Sequence, residues 1–460
     1  MKKLTLLLFF CFAFISFGDP LSEQDIIVKA LAQNAELKIE KLSIEKSLLD
    51  ITDASSRRLP NLNVSLGGSL DDSTGNLTGS STLSQHIPGG GTISARIAQS
   101  SLKIRSPGSD LYNNSISAEI EQPLLKGAWG ADPVQNTIKI TFLNHKLSSL
   151  RNRVTVLSKI SEARQYFWDL YGKSSLLDIA AKRSEQAGQI LASQRARFNV
   201  GEASVLDTLS AALEYSASQQ DYLNAQFQHE SSLSALAAFL GESPENITIP
   251  DSVDLVIPEI PDPDEFIETA RKVDPQIEIF KHMKELLTVQ LQQSRNALLP
   301  TLNLQASVSR DASGLDMLQQ NISRTNSSIG LILSYDLPRT ETQSNISRIK
   351  LDQEIQEISL KSHEANLDHQ LRELQRRWKL DKMKIQYAQM SSDLAQKQFD
   401  ATVKGYELGT ESRLSLIKAQ NDLASARNSY VVSLVELKRL QIIIDEITGV
   451  TFDRFGVELK

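Results

Sequence analysis

The stretch that decides the fold is Ala401–Val450, ATVKGYELGTESRLSLIKAQNDLASARNSYVVSLVELKRLQIIIDEITGV. A Tyr-Glu-Leu-Gly turn at 406–409 separates two segments with helical patterning. In the second segment, apolar residues recur every seven positions, and a further set follows each of them by three (Leu416, Leu423, Tyr430, Leu437, Ile444; Ala419, Ala426, Ser433, Leu440, Ile447). Such a heptad pattern is typical of helices that pack along one another. The stretch therefore predicts a long antiparallel helical hairpin with its tip at Gly409.

The same unit occurs a second time in the chain. Arg197–Gly241 repeats it without a gap, at a constant offset of 208 residues (409 − 201). An earlier block, Ile27–Asn63, recurs at Ile267–Asn303 with an offset of 240 (300 − 60). The first half thus carries about 32 additional residues between the two blocks (240 − 208). A duplication of this length predicts a chain built from two similar halves.

The first 18 residues, MKKLTLLLFFCFAFISFG, have the lysines, apolar run and small residues of a secretory signal peptide. A retained membrane anchor is the alternative, which the short apolar run disfavours. Cys11 is the only cysteine and lies in this run, so the exported chain is expected to form no disulfide and no thiolate metal site. A formal net charge of −7 with no basic block argues against nucleic-acid binding.

Four segments alternate apolar and polar residues with the period of two that marks a half-buried strand. They lie at about 61–69 and 114–123 in the first half and at about 301–310 and 327–337 in the second. Each is long enough for a bilayer, which takes ~9–11 strand residues. Four strands leave open edges that lipid does not tolerate, so three copies are expected to close a barrel of about twelve strands. An additional hairpin is expected at about Thr78–Leu102, either in the barrel wall or outside the membrane.

The other segments complete a mainly α-helical chain with transmembrane β-strands. One helix is expected over Ser22–Arg58, where Ser22 can cap its start and Pro60 ends it. Long helical stretches are expected over Pro123–Phe198 and Arg339–Lys404, each followed by a tip (near 201 and 409) and a returning helix. We predict a signal peptide at 1–18, a first repeat at 19–241, a proline-rich linker at 242–263, a second repeat at 264–450 and a C-terminal tail at 451–460.

These features resemble the TolC family of outer-membrane channel proteins over nearly all of the mature chain. The resemblance rests on the duplicated order of elements and on short motifs at Leu59-Pro60-Asn61-Leu62, Leu299-Pro300-Thr301-Leu302, Gln122-Pro123-Leu124-Leu125, Val200-Gly201 and Leu408-Gly409. It implies a homotrimer with a β-barrel of about twelve strands in the outer membrane and a periplasmic barrel of long helical hairpins. Such a protein is the passive exit duct of a tripartite efflux or type I secretion system.

The resemblance also implies partners and site residues. A periplasmic adaptor (membrane fusion) protein and an inner-membrane transporter would deliver the cargo, and outer-membrane lipid would surround the barrel. Adaptor docking is expected at the hairpin tips, which would open by untwisting (Gly201, Ser204, Gly409, Ser412). The tunnel mouth is expected at three further residues, two of which replace aspartates of some family members (Asp207; Ser415 and Lys418). Four prolines mark the helix–strand junctions (Pro60, Pro123, Pro300, Pro338).

Patterns typical of enzymes are weak, and we expect no catalytic residue, no metal and no cofactor. Gly172-Lys173-Ser174 lies in a helical stretch without the preceding strand and glycine of a phosphate loop. His363 and His369 are not spaced to share one helical face as metal ligands. The alternatives are a soluble periplasmic coiled-coil adaptor and a structural envelope protein. Neither would need a duplicated half with alternating strands.

Overall fold

A computed structural model describes residues 20–71, 74–104, 109–250, 263–315 and 322–451. The predicted signal peptide, the centre of the linker and nearly all of the C-terminal tail lie outside these ranges. The chain forms two compact units, the first assembled from three separate segments and the second from two. Unit 1 comprises Met1–Ile39, Arg153–Asp274 and Glu364–Lys460, and unit 2 comprises Glu40–Asn152 and Pro275–His363.

The described residues form eight α-helices and two short 3₁₀ turns, the latter at Trp129–Ala131 and Pro244–Asn246. The longest helices have 67 and 68 residues, which at 1.5 Å per residue corresponds to about 100 Å each. Each long helix ends at a predicted tip and is followed by a returning helix. The helices are α1 Glu23–Gln33, α2 Ala35–Ser56, α3 Pro133–Asn199, α4 Val205–Leu240, α5 Pro263–Val273, α6 Pro275–Asn296, α7 Thr340–Glu407 and α8 Arg413–Thr448.

The single helix predicted over Ser22–Arg58 is wrong, because the structure breaks it into α1 and α2 at Asn34. The Asn34 side chain accepts hydrogen bonds from the amides of Glu36 (3.0 Å) and Leu37 (3.3 Å), which starts a new helix. The second half breaks at the equivalent position, Asp274, between α5 and α6. The predicted cap at Ser22 is confirmed, since its hydroxyl accepts from the Asp25 amide at 3.2 Å.

The described strands form one antiparallel sheet in which each strand pairs with its neighbours in the sequence, from β1 to β6. The four predicted strands are present as β1, β4, β5 and β6, and the additional hairpin expected at about Thr78–Leu102 forms β2 and β3. The additional hairpin is part of the sheet, between the first and second predicted strands. β5 extends to Gly314 and β6 begins at Ile322, both beyond the predicted bounds of 310 and 327. The strands are β1 Asn61–Leu70, β2 Thr74–Ile87, β3 Gly91–Ile104, β4 Ser109–Pro123, β5 Thr301–Gly314 and β6 Ile322–Ser334.

The core of unit 1 is built from the apolar stripes of its helices. Phe167 and Trp168 of α3 are buried against α1 and the end of α4, where Ile26 and Leu240 are fully enclosed. The heptad pattern of α8 accounts for much of the remaining burial. Most of its predicted positions are buried (Leu416, Ala419, Leu423, Leu437, Leu440, Ile444).

Unit 2 has a smaller helical core beside the sheet. Leu143 and Leu147 of α3 pack against Ile279 and Leu286 of α6. On another face of α6, Leu291 packs with Ile349 of α7. Burial of these apolar side chains packs α6, which precedes β5, against α3 and α7, which follow β4 and β6.

Among the exposed large apolar side chains of the described residues, two groups lie near the tip ends of the long helical hairpins. One lies on α7 and is called the α7 stripe; it consists of Met383, Tyr387, Met390 and Leu394. The other lies on α4 and includes Leu209, Leu213, Leu223 and Phe227. Separately, none of the described helices is both long and apolar enough to cross a membrane.

Candidate functional site

The two helical tips have the same local structure. Gly201 and Gly409 follow the long helices with φ of 78° and 75°, a left-handed conformation that glycine adopts without steric cost. Ser204 then caps α4 and Ser412 caps α8, each hydroxyl accepting from the amide three residues later, at 3.1 Å in both tips. The four residues predicted at the tips therefore form two matching turns. Their role in adaptor docking remains a prediction.

A set of polar contacts joins the tip of the first half to the tip of the second. The guanidinium of Arg413 lies 2.9 Å from Oδ1 of Asp207 and also donates to the Asp207 carbonyl oxygen at 2.5 Å. On the incoming helices, Gln194 donates to the Tyr406 hydroxyl at 2.9 Å, and Arg197 lies over the Tyr406 ring at 5.5 Å. We call these five residues the tip clamp.

The carboxylate of Asp207 has both of its oxygens engaged. Oδ2 accepts from the Ser204 hydroxyl at 2.8 Å, and Oδ1 faces Arg413. The hydrogen bonds from Ser204, followed by the positive charge of Arg413, lower the pKa of Asp207 below its ordinary value of 3.8. Asp207 is therefore ionised at any physiological pH, and the clamp stays charged.

The three residues predicted at the tunnel mouth have different environments in the structure. Asp207 belongs to the clamp. Ser415 is in the first turn of α8, where its hydroxyl lies 2.9 Å from that of Ser412. Lys418 is exposed one turn further along. Whether the three line a tunnel mouth remains a prediction.

Sequence reasoning missed four members of the clamp. Arg413 was detectable as a cation that follows the Ser412 cap directly, at the same tip level as the acidic residue Asp207. Tyr406 lies in the quoted turn, but the sequence does not show that its ring and hydroxyl contact α3. Gln194 and Arg197 lie on α3 among many similar polar residues, and nothing in their spacing distinguishes them.

The sheet separates its residues into two faces that run continuously across all six described strands. One face is apolar and solvent-exposed in the chain (Leu62, Leu83, Ile97, Ile116, Val308, Ile329). The other is rich in hydroxyl and charged groups (Ser65, Ser80, Arg96, Glu119, Ser307, Arg324). Residues of the polar face from β1 to β6 surround a cavity of about 640 Å³, so this face is concave. Apolar outside and polar inside is the pattern of a membrane strand around an aqueous lumen.

The four predicted junction prolines lie where strands meet helices. Pro60 and Pro300 directly precede β1 and β5, and Pro123 ends β4. Pro338 follows β6 in a cis peptide bond with Leu337. The junctions of the second half are tied together by Arg339, which lies 4.0 Å from the Tyr335 ring centre and donates to the Ala297 carbonyl at 3.0 Å.

The fold matches known outer-membrane channels. CusC superposes with a TM-score of 0.69 at 14% identity, covering 94% of this chain and 93% of its own. The Campylobacter jejuni outer membrane channel CmeC gives 0.69 at 15% identity, covering 95% and 90%. The Neisseria gonorrhoeae outer membrane channel MtrE, solved in an open state, gives 0.64 at 16% identity, covering 93% and 88%. At these low identities, the superpositions show that the fold is shared.

The repeated helical hairpins and the two-faced sheet thus define an outer-membrane channel. The chain belongs to the outer membrane efflux protein family, whose model matches residues 26–242 and 266–449. No curated protein matches the sequence. The resemblance to TolC-type channels is confirmed, as is the predicted mainly α-helical fold with antiparallel strands and two similar halves. The protein is an outer-membrane efflux channel rather than an enzyme, and the soluble adaptor and envelope alternatives are not favoured.

Proposed function

We propose that the protein works as a homotrimer that carries cargo from a periplasmic adaptor and an inner-membrane pump to the cell exterior. The observation that carries this proposal is the pair of free sheet edges. Within the described sheet, β1 and β6 each pair on one side only. Backbone groups on such an edge are not tolerated in lipid, so the edges require strands from further copies.

Exposed apolar stripes on the helices support the same assembly. Tyr387 and Met390 of the α7 stripe are 62% and 54% exposed in the single chain. Together with the stripe on α4, they form apolar surface that a soluble helix does not leave open to water. A second copy of this chain is the occupant that we propose, because the same helices recur in every copy and three copies close the free sheet edges.

The tips are the surface that we propose for the adaptor. Val200 and Leu408 lie at equivalent positions of the two tips, as do Leu206 and Leu414, and all four are at least 71% exposed. Paired apolar side chains at the end of two helical hairpins suit the apolar face of a partner helix. The predicted tip residues Gly201, Ser204, Gly409 and Ser412 shape this surface by fixing its turns and caps.

The tip clamp is the element that we propose as the gate. It joins α4 to α8 through Asp207 and Arg413, and α3 to α7 through Gln194 and Tyr406. Untwisting of the tips would have to break these contacts. Partner binding at the neighbouring Val200 and Leu408 is therefore positioned to shift the equilibrium of the clamp.

The deciding experiment is the mass of the unboiled protein extracted by detergent from the outer-membrane fraction. We expect a species of three times the monomer mass. Aspartate at Leu408 and Leu414 is expected to leave this species intact and abolish pump-dependent efflux, since only the docking surface is changed. A monomeric extract would refute the trimer, and normal efflux by the double variant would refute docking at the tips.

A further inference from the structure

We propose that the hairpin β2–β3 forms part of the membrane wall, so that each chain supplies six strands and the trimer closes an 18-stranded barrel with a correspondingly wider exit. The proposal rests on the trimer proposed above. It concerns the width of the exit, and hence the size of solute that the outer-membrane segment admits.

The pairing of the strands leaves the hairpin no position outside the wall. β4 is paired with β3 on one side and with β5 on the other, so no edge of β4 is free to pair with β1. β1 pairs with β2 along its whole length, from Asn61 opposite Ser84 to Leu70 opposite Gly75. If β1 and β4 lie in the membrane, the two strands between them must lie there too.

The side chains of the hairpin continue the two faces of its neighbours. On the outward face, Leu83 lies beside Leu62 of β1, and Ile97 lies beside Ile116 of β4. This face carries no charged residue from Gly75 to Ser101. On the inward face, Ser80 shares a hydrogen bond of 2.8 Å with Ser65 of β1. A hairpin in water would have no reason to keep an apolar stripe in line with membrane strands.

The turn of the hairpin is fixed to the segment that leads into α3. The carbonyl oxygen of Gly89 accepts hydrogen bonds from the Gln122 side chain at 2.9 Å and from the Trp129 amide at 3.1 Å. Gly90 has a φ of 87°, and a Cβ there would lie 2.0 Å from the Gly127 carbonyl oxygen. The turn therefore approaches the chain so closely that only glycine fits.

A side-chain hydrogen bond reinforces the same attachment. The imidazole Nε2 of His86, near the end of β2, lies 3.0 Å from Oδ1 of Asp132, which precedes α3. Oδ1 of Asp132 also accepts from the Val134 amide at 2.9 Å. The hairpin is thus bound to the first long helix of its own half, as a wall strand must be at the junction between barrel and helices.

The two additional strands enlarge the exit considerably. With strands about 4.8 Å apart and tilted by about 40°, 18 strands give a backbone diameter of about 36 Å, and twelve give about 24 Å. The enclosed cross-section therefore differs about twofold. With an exit of this width, selection by size falls to the tips, and the barrel admits solutes larger than small hydrophobic drugs.

The ladders define a matched variant that lacks the hairpin. Asn61 aligns across the sheet with Ser84, Ser94 and Glu119. Replacing residues 72–108 by Asn-Gly would join Asp71 to Ser109 through a two-residue turn and place Asn61 opposite Glu119, with both faces preserved. The excised chain is expected to form a barrel of about twelve strands.

The first test is electron cryomicroscopy of the purified wild-type and excised proteins, with strand counting in the barrel. We expect 18 strands in the wild type and twelve in the excised variant. In planar bilayers, neutral polyethylene glycols applied from the exterior should enter the wild-type exit up to a clearly larger polymer size. A wild-type trimer with twelve wall strands and a hairpin outside the wall would overturn the proposal.

A pair of point variants keeps the test decisive if the excised chain fails to assemble. Ile97→Arg puts a charge on the outward face of β3, and Ala98→Arg puts the same charge on the inward face. We expect Ile97→Arg to lower the yield of assembled protein in the outer membrane at least severalfold, and Ala98→Arg to assemble normally. Equal tolerance of both would place the hairpin in water and refute the proposal.

Failure of the trimer itself would appear differently. The extracted mass would then depart from three monomers, while the micrographs would still show how many strands each copy contributes. A wall with four strands per copy refutes the present inference at any oligomeric state. A wall with six supports it and revises only the number of copies.

Discussion

At the scale of single residues, the tip clamp predicts how tightly the channel is closed. Arg413→Ala removes the cation that bridges to Asp207 and is expected to raise the leak conductance of the purified channel in planar bilayers severalfold. Lys404→Ala is the matched control, because it removes the same charge from an exposed position in the last turn of α7, outside the clamp and outside the predicted tunnel mouth.

A double variant separates the clamp from a general loss of charge. If Asp207 and Arg413 act as a pair, Asp207→Ala combined with Arg413→Ala should leak no more than either single variant. Additive effects in this cycle would show that the two residues act independently and would contradict the clamp as a gate.

The ionisation of Asp207 gives this contact a defined pH dependence. The pKa of Asp207 in the closed tip is lower than its ordinary value of 3.8. The ionised carboxylate therefore stabilises the closed tip at any pH above 3.8, and this contribution is lost as the pH falls through the lowered pKa. Bilayer recordings should therefore show a constant leak from neutral pH down to about 4 and a rise only below it. The Asp207→Ala variant should show no such rise in leak conductance at acidic pH. A rise near pH 6 in the wild type would point to a histidine instead.

At the scale of the elements, two equivalent glycines predict unequal effects of the same change. Gly241 ends α4 and Gly449 ends α8, both with φ of 71°. Alanine at either position costs about 1 kcal/mol for the left-handed conformation. At Gly449 the new Cβ would also lie 2.3 Å from Cγ1 of Val273 in α5, whereas at Gly241 it meets nothing within 4 Å.

Gly449→Ala should therefore destabilise the protein by about 1–3 kcal/mol more than Gly241→Ala, the range typical of overpacking. Thermal melting of the helical circular-dichroism signal in detergent would measure the difference. Equal melting temperatures would mean that α5 moves away from α8 without cost.

The elements also show what the sequence can and cannot predict. The tips and returning helices were predictable, because the heptads and glycines repeat at a fixed offset. The break at Asn34 was not, since the apolar stripe continues through it and only the capping by the asparagine side chain ends the helix. The strands of the additional hairpin were expected, but their partners depend on pairing between residues distant in sequence.

At the scale of the whole molecule, the α7 stripe predicts an interface between copies. Met390→Asp places a charge on this stripe and is expected to weaken the trimer by about 2 kcal/mol or more per site. Ser391→Asp is the control, since Ser391 is the exposed next residue on α7 and lies outside the stripe. The fraction of unboiled trimer in detergent measures the effect. Equal trimer fractions would leave the stripe without the proposed role.

The duplication makes the class of protein predictable from the sequence. It does not predict the width of the pore. Two like halves with alternating strands indicate a channel closed by several chains. The clamp between Asp207 and Arg413 joins residues of different halves. The sequence shows an acid and a cation near equivalent tips, but only the structure shows that they are in contact. The width of the exit depends on whether β2 and β3 join the sheet, which only the pairing reveals.

The hydroxyl groups of the inward sheet face bear on how fast cargo leaves. Ser65 and Ser80 bond to each other, and so do Ser307 and Ser328 at 2.9 Å. Each of these bonds uses one of the two hydroxyl protons, so a pair offers passing cargo fewer donors than two free serines would. Neutral cargo would therefore find few hydrogen-bond partners at these positions, whereas charged cargo would still meet Arg96, Glu119 and Arg324 on the same face.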